Sequence, residues 1–501
     1  MAIATRPRGM AREPGASRRR TSRRVWIAFA AIALLAAALR VPFMWAGVGA
    51  DEGGYAFIAH EWAGGAHLYR DLFVDRPQGL IVLYRGLTDI GYHAWAIRLG
   101  AVLAGTLLTL LVGAIGWMLR SRSAGIAAAA IFAVAGVAPR LEGFTMEGEL
   151  AAAVPAAAAV ACAVRWRMVR RDRWLAVSGF LGAVAILMKQ SGFDGLLLAV
   201  IVAAAAAAPW RARARRVAVV AAGACVLAAA AVVHGLAIGW SDYWLGVYGW
   251  RAQEDLGRSL GARADDFANQ ISRIAPDVWA LALVAVLGLA VCVRRWRALW
   301  VAPVWFVSGF IALNGGGLYL PHYFIQLLPP LALLAGIAAG AAYARSPLVA
   351  VALICLAIAP VAVTLADYAT MSAGQRERAI RWERRYDIDV RAARFIRAHS
   401  TRRDRVFALP SRADLYFLAD RLPPTPYLWE HTPLVRPSTL VGLRARLSGP
   451  ARPKFVVEVR NARDIDPTGR LKRVVARHYR EVWRPPGARD MRVMLARGRA
   501  L

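Results

Sequence analysis

The residues best suited to chemistry begin at Asp51-Glu52, two adjacent carboxylates placed directly after the first long apolar run. Tyr55, His60, Glu61, His67, Tyr69, Arg70, Asp71, Asp75 and Arg76-Pro77-Gln78-Gly79 follow before the next apolar run begins. A carboxylate pair at a membrane–water boundary is costly unless it is used, although acids also suit the positive end of a helix dipole. Further ionisable groups recur at comparable boundaries: Glu142, Glu147 and Glu149 at the fourth apolar run, Lys189-Gln190 between the fifth and sixth, and His322-Tyr323 at the tenth. Acids and cations gathered at one face of a membrane fit group transfer from a lipid phosphate. The leaving phosphate needs cations such as Arg76, Lys189 and His322, and the incoming hydroxyl needs a carboxylate base. Taken singly, each group also has a plain structural reading. Lys189 can snorkel, and His322 can be an ordinary hydrogen-bonded histidine. The aromatic and charged residues from Asp242 to Arg251 fit an interfacial belt.

The elements that must position these groups are long and apolar. The chain has 501 residues, 58% of them hydrophobic, and a mean hydropathy of +0.42. Runs of bilayer-spanning length recur, and they predict about eleven transmembrane helices: 25–47, 95–119, 123–140, 148–165, 174–189, 193–209, 217–238, 277–293, 298–314, 320–343 and 347–367. Arginine clusters at 120–122, 165–173, 211–216, 294–297 and 345 alternate with less basic connections. The positive-inside rule then puts the N-terminus in the cytoplasm of a multi-pass cell-membrane protein. The 48–94 loop, the 141–147 and 189–190 turns, the 239–276 loop and the chain after 368 fall outside. The formal charge of +32 is largely explained by these linkers, so no nucleic-acid partner is expected. Cys162, Cys225, Cys292 and Cys355 all lie within apolar runs, without ligand spacing.

Residues 1–24 read as a disordered basic tail. From 368 to 501 the apolar runs shorten and charge rises, which predicts a small extracytoplasmic α/β domain. Its expected elements are helices at 389–398, 437–447 and 468–483 and strands at 405–409, 454–459 and 491–496. Pro410, Pro423, Pro424, Pro426, Pro433 and Pro437 punctuate its middle.

Several of these pieces, in this order, resemble the GT-C glycosyltransferases. They are Asp51-Glu52, Tyr69-Arg70-Asp71, Arg76-Pro77-Gln78-Gly79, Arg98-Leu99, Glu149-Leu150 with Pro155, Leu187-Met188-Lys189-Gln190 and Pro321-His322-Tyr323. The nearer likeness is to the protein O-mannosyltransferase and aminoarabinose-transferase-like branch, glycosyltransferase family 39, over roughly residues 25–345. The resemblance implies a GT-C-like transmembrane catalytic domain over 25–367. It also implies inverting sugar transfer from a polyprenyl-phosphate-sugar donor to a lipid, glycan or protein acceptor outside the membrane. Carried over, Asp51 is the catalytic carboxylate and Glu52 its neighbour. Arg76, Lys189, His322 and Tyr323 bind the donor phosphate and lipid, and Tyr55, Tyr69, Glu147, Glu149 and Gln190 shape the site. Arg76 stands where the family usually has Lys. Some relatives use a divalent metal, but no closed ligand set is visible in this sequence, so no cofactor is expected.

Other classes leave different marks. A transporter or flippase would place charges near the bilayer midplane within repeats, whereas most ionisable clusters here sit at one boundary. A non-catalytic scaffold would leave Asp51-Glu52 without a task. A lipid-diphosphate-dependent ligase would use similar cations without a clear carboxylate base.

Overall fold

The structure, a computed structural model, describes residues 14–256, 259–315, 318–372, 375, 386–409, 412–429, 438–459, 465–488 and 491–501. Residues 1–13 of the expected tail lie outside the described residues, as do Pro410, Pro433 and Pro437. The protein is a polytopic α-helical membrane protein with a small C-terminal sheet domain. Among the described residues, seven helices are long and apolar enough to cross a bilayer: α1 (Pro14–Ala38, whose apolar stretch runs with the turn after it from Arg23 to Phe43), α4 (Ala94–Leu119), α6 (Gly148–Val169), α9 (Trp210–Ile238), α12 (Leu260–Arg294), α15 (Leu328–Tyr343, entered through a 3-10 turn, Pro321–Leu327) and α16 (Pro347–Thr370). Four shorter apolar helices complete the bundle: α5 (Arg122–Ala135), α7 (Arg173–Met188), α8 (Asp194–Ala204) and α14 (Val301–Asn314). Each of the eleven expected spans corresponds to one of these helices.

The helix boundaries differ from the expectation most at two places. Helix α1 begins at Pro14 and so takes in part of the predicted tail, whose arginines are good helix formers. The expected 239–276 loop is mostly helical. It holds α10 (Trp240–Trp244), a π-helical turn (Leu245–Gly249), α11 (Trp250–Leu256) and the first turns of α12. Polar residues such as Asp265, Asp266 and Gln270 end a hydropathy run without ending a helix.

Small residues let the helices close up. A Cβ at Gly336 would fall 2.5 Å from Ala128 Cβ, and one at Gly340 would fall 2.6 Å from Ala124 Cβ, so α15 lies directly on α5. Buried polar groups pin other pairs. Asp194 accepts hydrogen bonds from Trp305 Nε1 at 2.9 Å and Gln326 Nε2 at 2.8 Å, tying α8 to α14 and to the entry of α15. At the end of the bundle away from Asp51, Arg167 donates to the carbonyls of Arg297 and Ala298, and Arg215 pairs with Asp172.

The connection after α1 carries α2 (Ala50–Ala63) and α3 (Gln78–Ile90). The C-terminal domain is built on strands β1 (Val406–Leu409), β2 (Phe455–Glu458), β3 (Tyr479–Trp483) and β4 (Arg492–Ala496), in the order β1-β2-β4-β3. β1 and β2 are parallel, with Val406 opposite Phe455, and β4 runs antiparallel to both β2 and β3. The period of two divides the sheet's side chains between two apolar clusters. Val406, Ala408, Phe455, Val457, Val493 and Leu495 pack with α17 (Tyr386–Ala398) in the core that continues into the helical bundle. Phe407, Leu409, Val456 and Met494 pack with α19 (Thr439–Ser448) and α20 (Arg470–His478) in a separate cluster.

The single helix expected at 468–483 is α20 followed by β3. Arg480 and Glu481 are exposed on this edge strand, and that charge hides its strand character in the sequence. A helix absent from the sequence-based reading, α18 (Ala413–Ala419), seats the domain on α2, with Tyr416 against Phe57 at 5.8 Å between ring centroids.

Candidate active site

The site forms where α2, the turn before α6, the end of α7, α11 and the entry of α15 meet. Helix α2 starts at Ala50, which puts Asp51 and Glu52 in its first turn. Successive helical positions point in different directions, and the two acids have different fates.

Glu52 is fully buried. It pairs with Arg98 Nη1, accepts from Met146 N at 2.8 Å, and accepts from Gly49 N at 3.1 Å, the reciprocal half of a capping box. Arg98 also donates to the carbonyls of Gly47 and Ala46. Glu52 therefore fastens the start of α2 to α4 and to the turn before α6. Asp51 keeps a side chain that is 25% exposed. Tyr55 Oη donates to its Oδ2 at 3.4 Å, and Arg76 Nη2 stands 3.9 Å from the same oxygen.

Asp51, Glu147 and His322 offer ligand atoms that all lie within 4.8 Å of one another. Two carboxylates and an imidazole suit a zinc- or manganese-like divalent cation. The outer ring nitrogen of His322, Nδ1, faces Glu142 Oε2 at 3.0 Å, a carboxylate contact of the kind that orients metal-binding imidazoles. This leaves Nε2 toward the acids, 3.9 Å from Glu149 Oε1. Burial pushes the Glu147 carboxyl up to about 8, with Asp51, Glu52 and Glu142 adding like charge. A second group of possible ligand atoms, His60, Glu61 and Asp420, is spanned by Arg402, which pairs with both acids at 3.0 and 2.8 Å. That pairing fits a salt-bridge seam between α2 and the C-terminal domain.

The cations are grouped around Asp75. Arg76 Nη1 donates to Asp75 Oδ2 at 2.7 Å, and Arg251 of α11 pairs with the same oxygen. Gln190 donates to the carbonyls of Asp75 at 2.9 Å and Val247 at 2.8 Å, so the turn after α7 holds both arginine-bearing segments. Tyr69 Oη donates to the Arg76 carbonyl at 2.9 Å from a left-handed backbone, φ +70°. Glu142, which contacts His322, also has a positive φ. Lys189 is buried, pairs with Glu149, and lies over the Tyr323 ring, Nζ 3.5 Å from its centroid.

The structure thus brings together every residue expected at the site, but not in equal roles. Glu52, Lys189 and Arg76 sit in buried ion pairs and Glu147 and His322 are also buried, while Asp51 keeps a partly exposed side chain. Three contributors were missed as site residues. Arg251 lay among loop aromatics. Glu142 was noted only for its charge. Trp429, whose Nε1 donates to Asp51 Oδ1 at 2.9 Å, follows a proline-rich stretch that gave no signal of proximity.

The helix order, the large connection after the first span and the C-terminal domain make up a GT-C-like fold that solved structures share. Over 93% of this chain and 97% of its own, the solved structure of ArnT from Cupriavidus metallidurans bound to undecaprenyl phosphate superposes with a TM-score of 0.62 at 17% identity. The apo state of the same protein gives 0.62 and 17%, over 95% of this chain and 98% of that one. The archaeal oligosaccharyltransferase AglB from Archaeoglobus fulgidus, in complex with an inhibitory peptide and a dolichol-phosphate, gives 0.58 at 12% identity, over 94% and 74%. No protein-family model matches the sequence. No curated protein matches it.

Proposed function

We propose that this protein is an inverting membrane glycosyltransferase that moves a sugar from a polyprenyl-phosphate-sugar donor to an acceptor hydroxyl on the extracytoplasmic face. The observation that carries the reading is the placement of Asp51, Glu147 and His322 within 4.8 Å of one another, beside the Arg76–Asp75–Arg251 group. Its support from outside the chain is a fold shared with an ArnT that was solved bound to undecaprenyl phosphate. The branch within the GT-C fold, the family-39 type, is part of the proposal.

In this mechanism the acceptor oxygen attacks the anomeric carbon opposite the phosphate. Its proton passes to Asp51, the C–O bond to phosphate breaks, and the electron pair leaves on the polyprenyl phosphate. Arg76 and Arg251 stabilise that growing negative charge, and a fixed arginine fork suits a phosphate. Glu52 and Lys189 act one step back, by holding α2 and the α6 mouth in place. Asp51, Glu147 and His322 would hold a divalent cation, which supplies Lewis-acid charge at the site when bound. The N-terminus lies in the cytoplasm and the C-terminal domain outside.

The test uses a panel of labelled polyprenyl-phosphate sugars with the purified protein. Wild type should release polyprenyl phosphate from at least one donor, and Asp51→Asn should slow transfer roughly 100-fold or more, as loss of a positioned general base does. Undecaprenyl phosphate should still bind the variant. A correctly folded Asp51→Asn protein that transfers at full rate would defeat the assignment of the base.

A further inference from the structure

Helix α2 carries Gly53-Gly54 in its second turn, where each glycine costs about 1 kcal/mol relative to alanine. The C-terminal domain explains both. A Cβ at Gly53 would fall 2.6 Å from Asp414 Cα, and a Cβ at Gly54 would fall 2.4 Å from Trp429 Cζ2. The glycine pair is therefore a seat, and what sits in it is an element more than 350 residues away in the chain that ends on the Asp51 carboxylate.

The approach of Trp429 is held at several points. Phe73 N donates to the Pro426 carbonyl at 2.9 Å, and the Phe73 ring meets Tyr427 edge-on at 5.6 Å. Tyr92 meets Phe417 at 4.6 Å, and Arg402 joins Glu61 to Asp420. The indole lies 5.7 Å from the Tyr55 ring, and its N–H reaches Asp51 Oδ1. The two carboxylate oxygens are thereby distinguished. Oδ1 is engaged by the indole, while Oδ2 faces Tyr55 and Arg76.

We infer that Trp429 is a positioning residue for transfer: docking of the C-terminal domain through the Gly53-Gly54 seat brings its indole N–H to Asp51 Oδ1, fixes the carboxylate plane, and presents Oδ2 to the acceptor. The inference rests on Asp51 being the base. It assigns the C-terminal domain a part in assembling the reaction centre, beyond anchoring or partner binding. A carboxylate free to rotate would spend much of its time misaligned, and small misplacements of a reacting group are expensive.

The experiment measures kcat, donor KM, undecaprenyl phosphate affinity and thermal midpoint for the full-length protein, for Asp51→Asn, and for Trp429→Phe and Gly54→Ala singly and combined. Trp429→Phe keeps an aromatic ring but loses the N–H. Gly54→Ala pushes the indole aside without changing it. Each single variant should lower kcat about 10- to 100-fold with donor KM and undecaprenyl phosphate binding within about twofold of wild type. Adding Gly54→Ala to Trp429→Phe should cost little more, because the same hydrogen bond is already gone. A purely structural tryptophan would instead lower the thermal midpoint and leave kcat per folded molecule unchanged. Wild-type kcat in folded Trp429→Phe, with Asp51→Asn inactive, overturns this inference and leaves the base in place. An active Asp51→Asn protein, or a wild type inert toward every donor in the panel, overturns the base assignment, and this inference with it.

Discussion

Glu142 Oε2 and His322 Nδ1, 180 residues apart in the chain, meet at 3.0 Å, and Glu142 makes the contact from a left-handed backbone at φ +58°. A non-glycine residue in that conformation costs on the order of 1 kcal/mol or more. The contact engages Nδ1 and leaves Nε2, 3.9 Å from Glu149 Oε1, as the other ring nitrogen of His322. Strain held beside a cluster of possible ligands points to orientation of the imidazole as the benefit.

For the cation, isothermal titration of Mn2+ or Zn2+ into purified protein should show a single site per chain. His322→Ala should abolish it, and Glu142→Ala should weaken it about 10- to 100-fold, the usual effect of losing an orienting partner. Equal affinity in wild type and His322→Ala would remove the metal site from consideration.

Arg76 and Arg251 are expected to contribute in similar measure. Arg76→Ala and Arg251→Ala should each raise the transfer barrier by about 2–4 kcal/mol, the range for loss of one preorganised charge stabiliser. Arg76→Lys should retain more activity than Arg76→Ala, because the charge stays although the fork is lost. Single-turnover rates with a labelled donor measure this, and wild-type rates in both alanine variants would reduce the pair to a structural seam around Asp75.

Lys189 and Glu52 should show themselves mainly as stability residues. Removing one partner of a buried ion pair leaves an uncompensated charge and costs about 3–5 kcal/mol. Lys189→Ala and Arg98→Ala should therefore lower the thermal midpoint of the detergent-purified protein markedly. Lys189→Met combined with Glu149→Gln should recover much of the loss. Unchanged midpoints in both single variants would mean that these pairs are solvated in the membrane-embedded protein.

Orientation is open to a direct test. A cysteine at exposed Arg70 should react with an impermeant maleimide in intact cells, and one at exposed Arg213 should be protected until the membrane is permeabilised. The reverse pattern would place Asp51 in the cytoplasm and exclude an extracytoplasmic donor.

The sequence alone determined the membrane scaffold, because burial in lipid is a property of run length and composition. All eleven spans were legible in this way, and so was the shared boundary where Asp51, Glu147, Lys189 and His322 cluster. The short strands at 406–409, 455–458 and 492–496 were legible too, since each is a buried apolar run between charges. Residues 479–483 were not, because an edge strand that exposes Arg480 and Glu481 carries no apolar alternation.

Pairing was decided only by the tertiary structure. Residue type made Asp51 and Glu52 look equivalent, yet Arg98, 46 positions on, takes Glu52 into the core. Lys189, expected beside the donor phosphate, also meets Glu149 across 40 residues, a contact its residue type does not foretell. Arg251 and Trp429 reach the site through a π-helical turn and a proline-rich strap, and neither leaves a periodic trace. A carboxylate's role depends on which donors meet each of its oxygens, and those donors come from segments that meet only in the folded chain.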